Sequence, residues 1–69
     1  MPAFNQSVYS DMAEEVGWDE RGMIVLFKTG KKVVYLEVPE EEARSIANAG
    51  SVGTAINNRI KGRYTFRYI

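Results

Sequence analysis

The chain has no cysteine and no histidine, and only one tryptophan and two prolines, in 69 residues. Without cysteine there is no disulfide to staple a small core. With histidine missing too, a structural zinc site lacks its usual S and N ligands. The same absences remove the side chains most used for general acid–base and thiol chemistry, so an enzyme is not expected. No catalytic residue, metal ligand or cofactor motif is assigned, and no phosphate-loop glycine pattern is present. No apolar run approaches the ~20 residues that span a bilayer as a helix. The longest is Met23-Ile-Val-Leu-Phe27. The opening residues, Met1-Pro-Ala-Phe-Asn-Gln-Ser7, lack the basic and apolar segments of a secretory signal, so a cytoplasmic location without membrane contact is expected. The last absence is one sign of charge: no acid follows Glu42.

Residues 1–42 hold nine acids against four bases, a balance of −5, whereas residues 43–69 hold five bases and no acid, +5. The formal net charge of zero conceals a polarised molecule whose basic half suits an anionic partner. The length makes a single domain, residues 1–69, with residues 1–6 as a flexible N-terminal arm. A chain this short buries only about 60% of the surface its unfolded form exposes. Association with a second copy would add to so thin a margin, and a homodimer is expected.

Val16-Gly-Trp18 and Asp19-Glu-Arg-Gly22 read as a short strand entering a turn, with Gly22 at positive φ. Trp18 is expected to be mostly buried. Met23–Lys28 stays apolar until its last residue and reads as a central strand buried, or nearly so, on both faces. Thr29-Gly30 closes a hairpin to Val33–Val38, rich in β-branched and aromatic residues. Pro39 suits the start of a helix, and Glu40, Glu41 and Glu42 meet the positive end of its dipole. Ala43, Ile46, Ala47 and Gly50 share one face, with Gly50 as the positive-φ stop. Ser51 caps a second helix, along which Val52, Ile56 and Ile60 recur every fourth residue until Gly62. Tyr64, Phe66 and Tyr68 alternate with Thr65 and Arg67 as in a half-buried strand. The β-β-β-α-α-β order gives an α+β domain: a small, mainly antiparallel sheet of about four strands with two short helices packed on one face.

Asp11, Glu14, Glu15, Asp19 and Glu20 cluster without calcium-loop spacing and read as solvated surface. The basic residues carry more information. Lys28, Lys31 and Lys32 flank the hairpin turn, Arg59, Lys61 and Arg63 surround Gly62, and Ser51-Val-Gly53 offers helix-start N–H groups of the kind that hold phosphate. If the aromatics of the last strand pack under the helices, Arg63 and Arg67 form an outward stripe. If they face out to stack bases, those arginines must turn inward at a high desolvation cost. The first arrangement is expected.

Val16-Gly-Trp-Asp19, Phe27-x-x-Gly30, Tyr35, Val38-Pro39, Ala49-Gly-Ser-Val-Gly53, Asn57, Ile60-Lys61 and Tyr64-x-Phe66 together resemble the KTSC domain. This family is named for its occurrence at the C-terminus of some lysyl-tRNA synthetases and is also found as stand-alone bacterial and phage proteins. The likeness runs over roughly residues 7–68. It departs at Ala55-Ile56, where the family usually has a Tyr-Phe pair, and at Lys61, where arginine is common. The synthetase attachment implies RNA. The expected function is a small non-enzymatic module binding RNA or another phosphate-bearing ligand. Arg59, Lys61, Arg63, Arg67, Lys31 and Lys32 would supply charge, and Asn57 and Asn58 hydrogen bonds. Two alternatives are a protein-interaction module, such as a phage protein occluding a host factor, and a sequestering protein for a nucleotide signal held between protomers.

Overall fold

Side-chain alternation and tight turns build one sheet. The computed structural model describes residues 3–69. Strands β1 (Phe4–Ser7), β2 (Ala13–Asp19), β3 (Gly22–Phe27), β4 (Lys32–Leu36) and β5 (Phe66–Tyr68) lie in the order β1-β2-β3-β4-β5, each antiparallel to its neighbours. Helices α1 (Glu40–Ala47) and α2 (Val52–Ala55) connect β4 to β5, and α2 continues into a π-helical turn, Ile56–Ile60. The α+β architecture expected from the sequence is present, with five strands in place of about four.

The fifth strand is β1, where the sequence reading placed a flexible arm. Phe4, Asn5, Gln6 and Ser7 pair with Trp18, Gly17, Val16 and Glu15. Phe4-Asn-Gln-Ser7 has too little alternation to read as a strand, and tertiary contacts hold it. The Gln6 amide donates to the Ala47 carbonyl (3.3 Å) and to Asn48 Oδ1 (3.1 Å), and the Arg44 guanidinium lies 4.3 Å from the Phe4 ring centroid. Residues 1–2 of the expected arm lie outside the described residues.

One face of the sheet carries the core. Val16, Met23, Val25, Val33 and Tyr35 pack against Ala43, Ile46 and Ala47 of α1 and against Val52, Ile56 and Ile60 beyond it. Burying a side chain of this class contributes about 1.5–3 kcal/mol. Among the described residues no helix lies over the other face, which bears Gly17, Ile24, Leu26, Val34 and Leu36, although Gly17 and Val34 on it are buried. β3 is the central strand, as expected, but the expectation of near-equal burial on both faces is corrected: Met23 and Val25 are fully buried, whereas Ile24 and Leu26 are only half-buried. Both helices follow β4 and pack on the same side, so only alternate residues of β3 meet them. Trp18 is likewise half-buried, with Nε1 donating to the Val38 carbonyl at 2.8 Å.

Gly22 has φ +145°, and a Cβ there would run into the Tyr35 carbonyl oxygen. Gly50 is not the positive-φ stop that was expected. Asn48 ends α1 instead: its backbone N–H bonds to the Arg44 carbonyl at 3.0 Å and its side-chain amide to the same oxygen at 2.9 Å. The Ser51 hydroxyl does cap α2, accepting from the Thr54 N–H at 3.4 Å.

Candidate functional site

The site forms where the helices run out before the sheet does. In β5, Tyr68 pairs with Val33 and Phe66 with Tyr35, so both aromatics share the face that carries the helices. Neither is covered: Phe66 is 50% exposed and Tyr68 63%. The expectation that the aromatic comb packs into the core is corrected for Phe66 and Tyr68, whereas Tyr64 is half-buried against the core. The alternative, with the arginines turned inward, also fails, because β5 is an edge strand and its outer residues find cover on neither face.

The chain reaches this edge through an unusual turn. The π-helical bond from Lys61 N–H to the Ile56 carbonyl (2.9 Å) widens the last turn of the second helix. Bonds from Arg63 N–H (3.1 Å) and Tyr64 N–H (3.2 Å) to the Ile60 carbonyl then close it, with Gly62 at φ +83°. This bend carries Lys61 and Tyr64 to a groove of about 350 Å³ floored by Val33 and Tyr35, with Phe66 and Tyr68 as one wall and Lys31 at its mouth. The Phe66 ring meets Tyr68 edge-on at 5.7 Å and Tyr35 at a tilt at 6.0 Å. Lys31 Nζ lies 5.5 Å from the Tyr68 ring centroid. No carboxylate lines the groove. Burial raises the Tyr35 phenol above the usual tyrosine range, and the neighbouring Tyr68 phenol adds to the shift. The lining combines aromatic surfaces with two ammonium groups, a composition suited to flat, anionic ligands.

The basic residues singled out in the sequence do not form one stripe. Lys31 and Lys61 reach the groove, and exposed Arg63 sits in the adjoining turn. Arg67 pairs with Val34, and Lys32 stands two residues before Val34, so both belong to the helix-free face. Arg59 is engaged by Glu42, its Nη2 2.8 Å and its Nε 3.1 Å from the two carboxylate oxygens. Asn57 and Asn58 are exposed on the π-helical turn, and Asn57 faces a separate cleft of about 470 Å³ between the Tyr9–Met12 loop and α2. That cleft brings Lys28 and the Ser51-Val-Gly53 helix start together with the Asp11 carboxylate, so its charges offset, whereas the groove holds two ammonium groups and no carboxylate. The sequence reading missed Phe27, Tyr35 and Val33 as groove residues. Alternation in β4 puts Val33 and Tyr35 on one face, but only the pairing with β5 brings them under Phe66 and Tyr68.

Among the described residues, no three carboxylates converge on a possible cation site, and no helix is long and apolar enough to cross a membrane. An outlying ion pair joins Asp19 to Arg21 at 2.9 Å in the β2–β3 turn, and the guanidinium holds the Asp19 carboxyl below its usual range.

Comparison with known proteins gives a consistent result. No curated protein matches the sequence. The crystal structure of a KTSC domain protein from Yersinia pestis superposes with a TM-score of 0.86 at 27% identity, covering 99% of each chain. The family model of the KTSC domain matches residues 9–64, most of the sheet and both helices. The chain belongs to the KTSC domain family.

Proposed function

We propose that the protein is a non-enzymatic, cytoplasmic module that binds single-stranded nucleic acid, RNA in the first place, in the groove along β5. The observation that carries this reading is the exposure of Phe66 and Tyr68 beside Lys31 and Lys61, in a groove with no carboxylate. Bases stack on aromatic rings whatever their identity, and each stacked base contributes about 1–3 kcal/mol. Lys31, Lys61 and Arg63 then meet the phosphates. A double helix hides the base faces that such a groove would take, which favours single strands.

The test is fluorescence anisotropy of a labelled oligouridine titrated with the protein at increasing salt. Three phosphate contacts give a log–log salt slope of about −2. Tyr68→Ala weakens binding by about tenfold or more through lost stacking. Lys31→Glu combined with Lys61→Glu abolishes it. Arg67→Glu, on the other face, leaves it within about twofold. Absence of binding to the oligonucleotide at low salt overturns the proposal.

A second reading rests on a different observation. The Leu36 N–H bonds to the Thr65 carbonyl (2.8 Å) and the Ile69 N–H to the Lys32 carbonyl (2.9 Å). Antiparallel alternation then directs the backbone N–H and C=O of Phe66 and Tyr68 away from β4, toward the open edge. Such an edge can accept an added strand from a partner protein. A protein that binds no oligonucleotide but gains a strand from a peptide would follow this course.

A further inference from the structure

The helix-free face of the sheet is apolar along its middle and oppositely charged on its two flanks. Its residues fall into rows set by the strand register. One row runs Glu15, Leu26, Lys32 across β2, β3 and β4. The next runs Asn5, Gly17, Ile24, Val34, Arg67 from β1 to β5. The third holds Gly22 and Leu36 between Asp19 and Thr65. Glu15 and Asp19 thus lie on the β2 flank, and Lys32 and Arg67 on the β4–β5 flank.

We propose that this face docks against the same face of a second copy, with a two-fold axis along β3. Rotation about that axis keeps each row at its own height and exchanges its two ends. Leu26 and Ile24 meet their own counterparts at the centre, whereas Gly17 and Val34 beside them are already buried within each copy. Glu15 faces Lys32 of the second copy and Asn5 faces its Arg67, and each contact occurs twice. An axis perpendicular to the strands would instead place the β2 flanks, both acidic, against each other, so the charges select the first arrangement. Two sheets stacked this way keep the aligned packing of β-sandwiches, about 10 Å apart. The groove along β5 opens on the opposite side, so the dimer carries two grooves facing outward.

The size of the face limits the strength. Five strands about 4.8 Å apart and about 17 Å long give roughly 400 Å² per partner, half the ~800 Å² of a standard interface. A dissociation constant on the order of 10–100 µM follows. The experiment is sedimentation equilibrium of the full chain from about 1 µM to about 1 mM. The wild type passes from monomer to dimer across this range. Glu15→Lys alone and Lys32→Glu alone, each checked by circular dichroism to be folded, raise the dissociation constant at least tenfold, because each sets like charges against each other twice. An equimolar mixture of the two variants recovers the dimer, because both facing pairs are again of opposite sign. A wild type that stays monomeric throughout overturns the proposal. So do dimers that withstand the single reversals, or variants that fail to associate when mixed.

Discussion

Gly22 ends the β2–β3 turn with φ +145°, and the Tyr35 carbonyl occupies the place of a Cβ. Gly22→Ala should therefore cost about 3 kcal/mol or more, through strain and displacement of β4. Gly50→Ala meets nothing within 4 Å and should leave stability unchanged or raise it by less than about 1 kcal/mol. Urea melts of the two variants check the contrast. The turn at Gly22 was legible in Asp19-Glu-Arg-Gly22, whereas the role expected of Gly50 falls to Asn48, whose side chain closes α1 in a way no local pattern distinguishes. Titration also acts at this scale. The raised Tyr35 pKa means that the fold favours the neutral phenol. Its contribution is complete below the ordinary tyrosine pKa of about 10 and is lost as pH rises through it, since the unfolded chain ionises first. Tyr35→Phe should lose less stability than the wild type between pH 9 and pH 11, in about the same buffer range. The Asp19 pKa is lowered, so its contribution is complete above the ordinary carboxylate range and lost as pH falls below it.

Among the elements, β3 shows where the sequence misleads. Met23–Phe27 is continuously apolar, yet only Met23 and Val25 lie fully under the helices. Val25→Asp should abolish folding, because it buries a carboxylate without a partner. Leu26→Asp, on the helix-free face, should stay folded with a lowered Tm, and thermal melts separate the two outcomes. Strand β5 was legible as a strand from its alternation, but its place at the edge depends on sheet order, which alternation does not encode. Phe66→Ala should accordingly cost about 1 kcal/mol, well below the 3–5 kcal/mol of a core phenylalanine, while weakening oligonucleotide binding. The π-helical turn was illegible for a related reason: Val52, Ile56 and Ile60 keep the spacing of an ordinary helix, while the backbone widens over Ile56–Ile60 and closes with the Lys61–Ile56 bond. Lys61, the residue that closes this turn, lines the groove with Phe66 and Tyr68.

For the whole molecule, the division of charge along the chain becomes a division of charge in space, though a different one. Arg59 and Arg44 are engaged by Glu42 and Glu40, both from the acidic run that opens α1, so part of the basic half is neutralised. Arg21 is likewise held by Asp19, and of the other cations Lys31 and Lys61 lie at the aromatic groove with Arg63 in the adjoining turn, Lys32 and Arg67 on the helix-free side and Lys28 at the Tyr9–Met12 cleft. Amide chemical-shift mapping during titration with a short oligouridine tests binding at the groove most directly. The shifts should concentrate at Lys31, Tyr35, Lys61, Arg63, Phe66 and Tyr68, and fade as salt is added. Shifts confined to the Tyr9–Met12 loop and α2, or none at low salt, would contradict it.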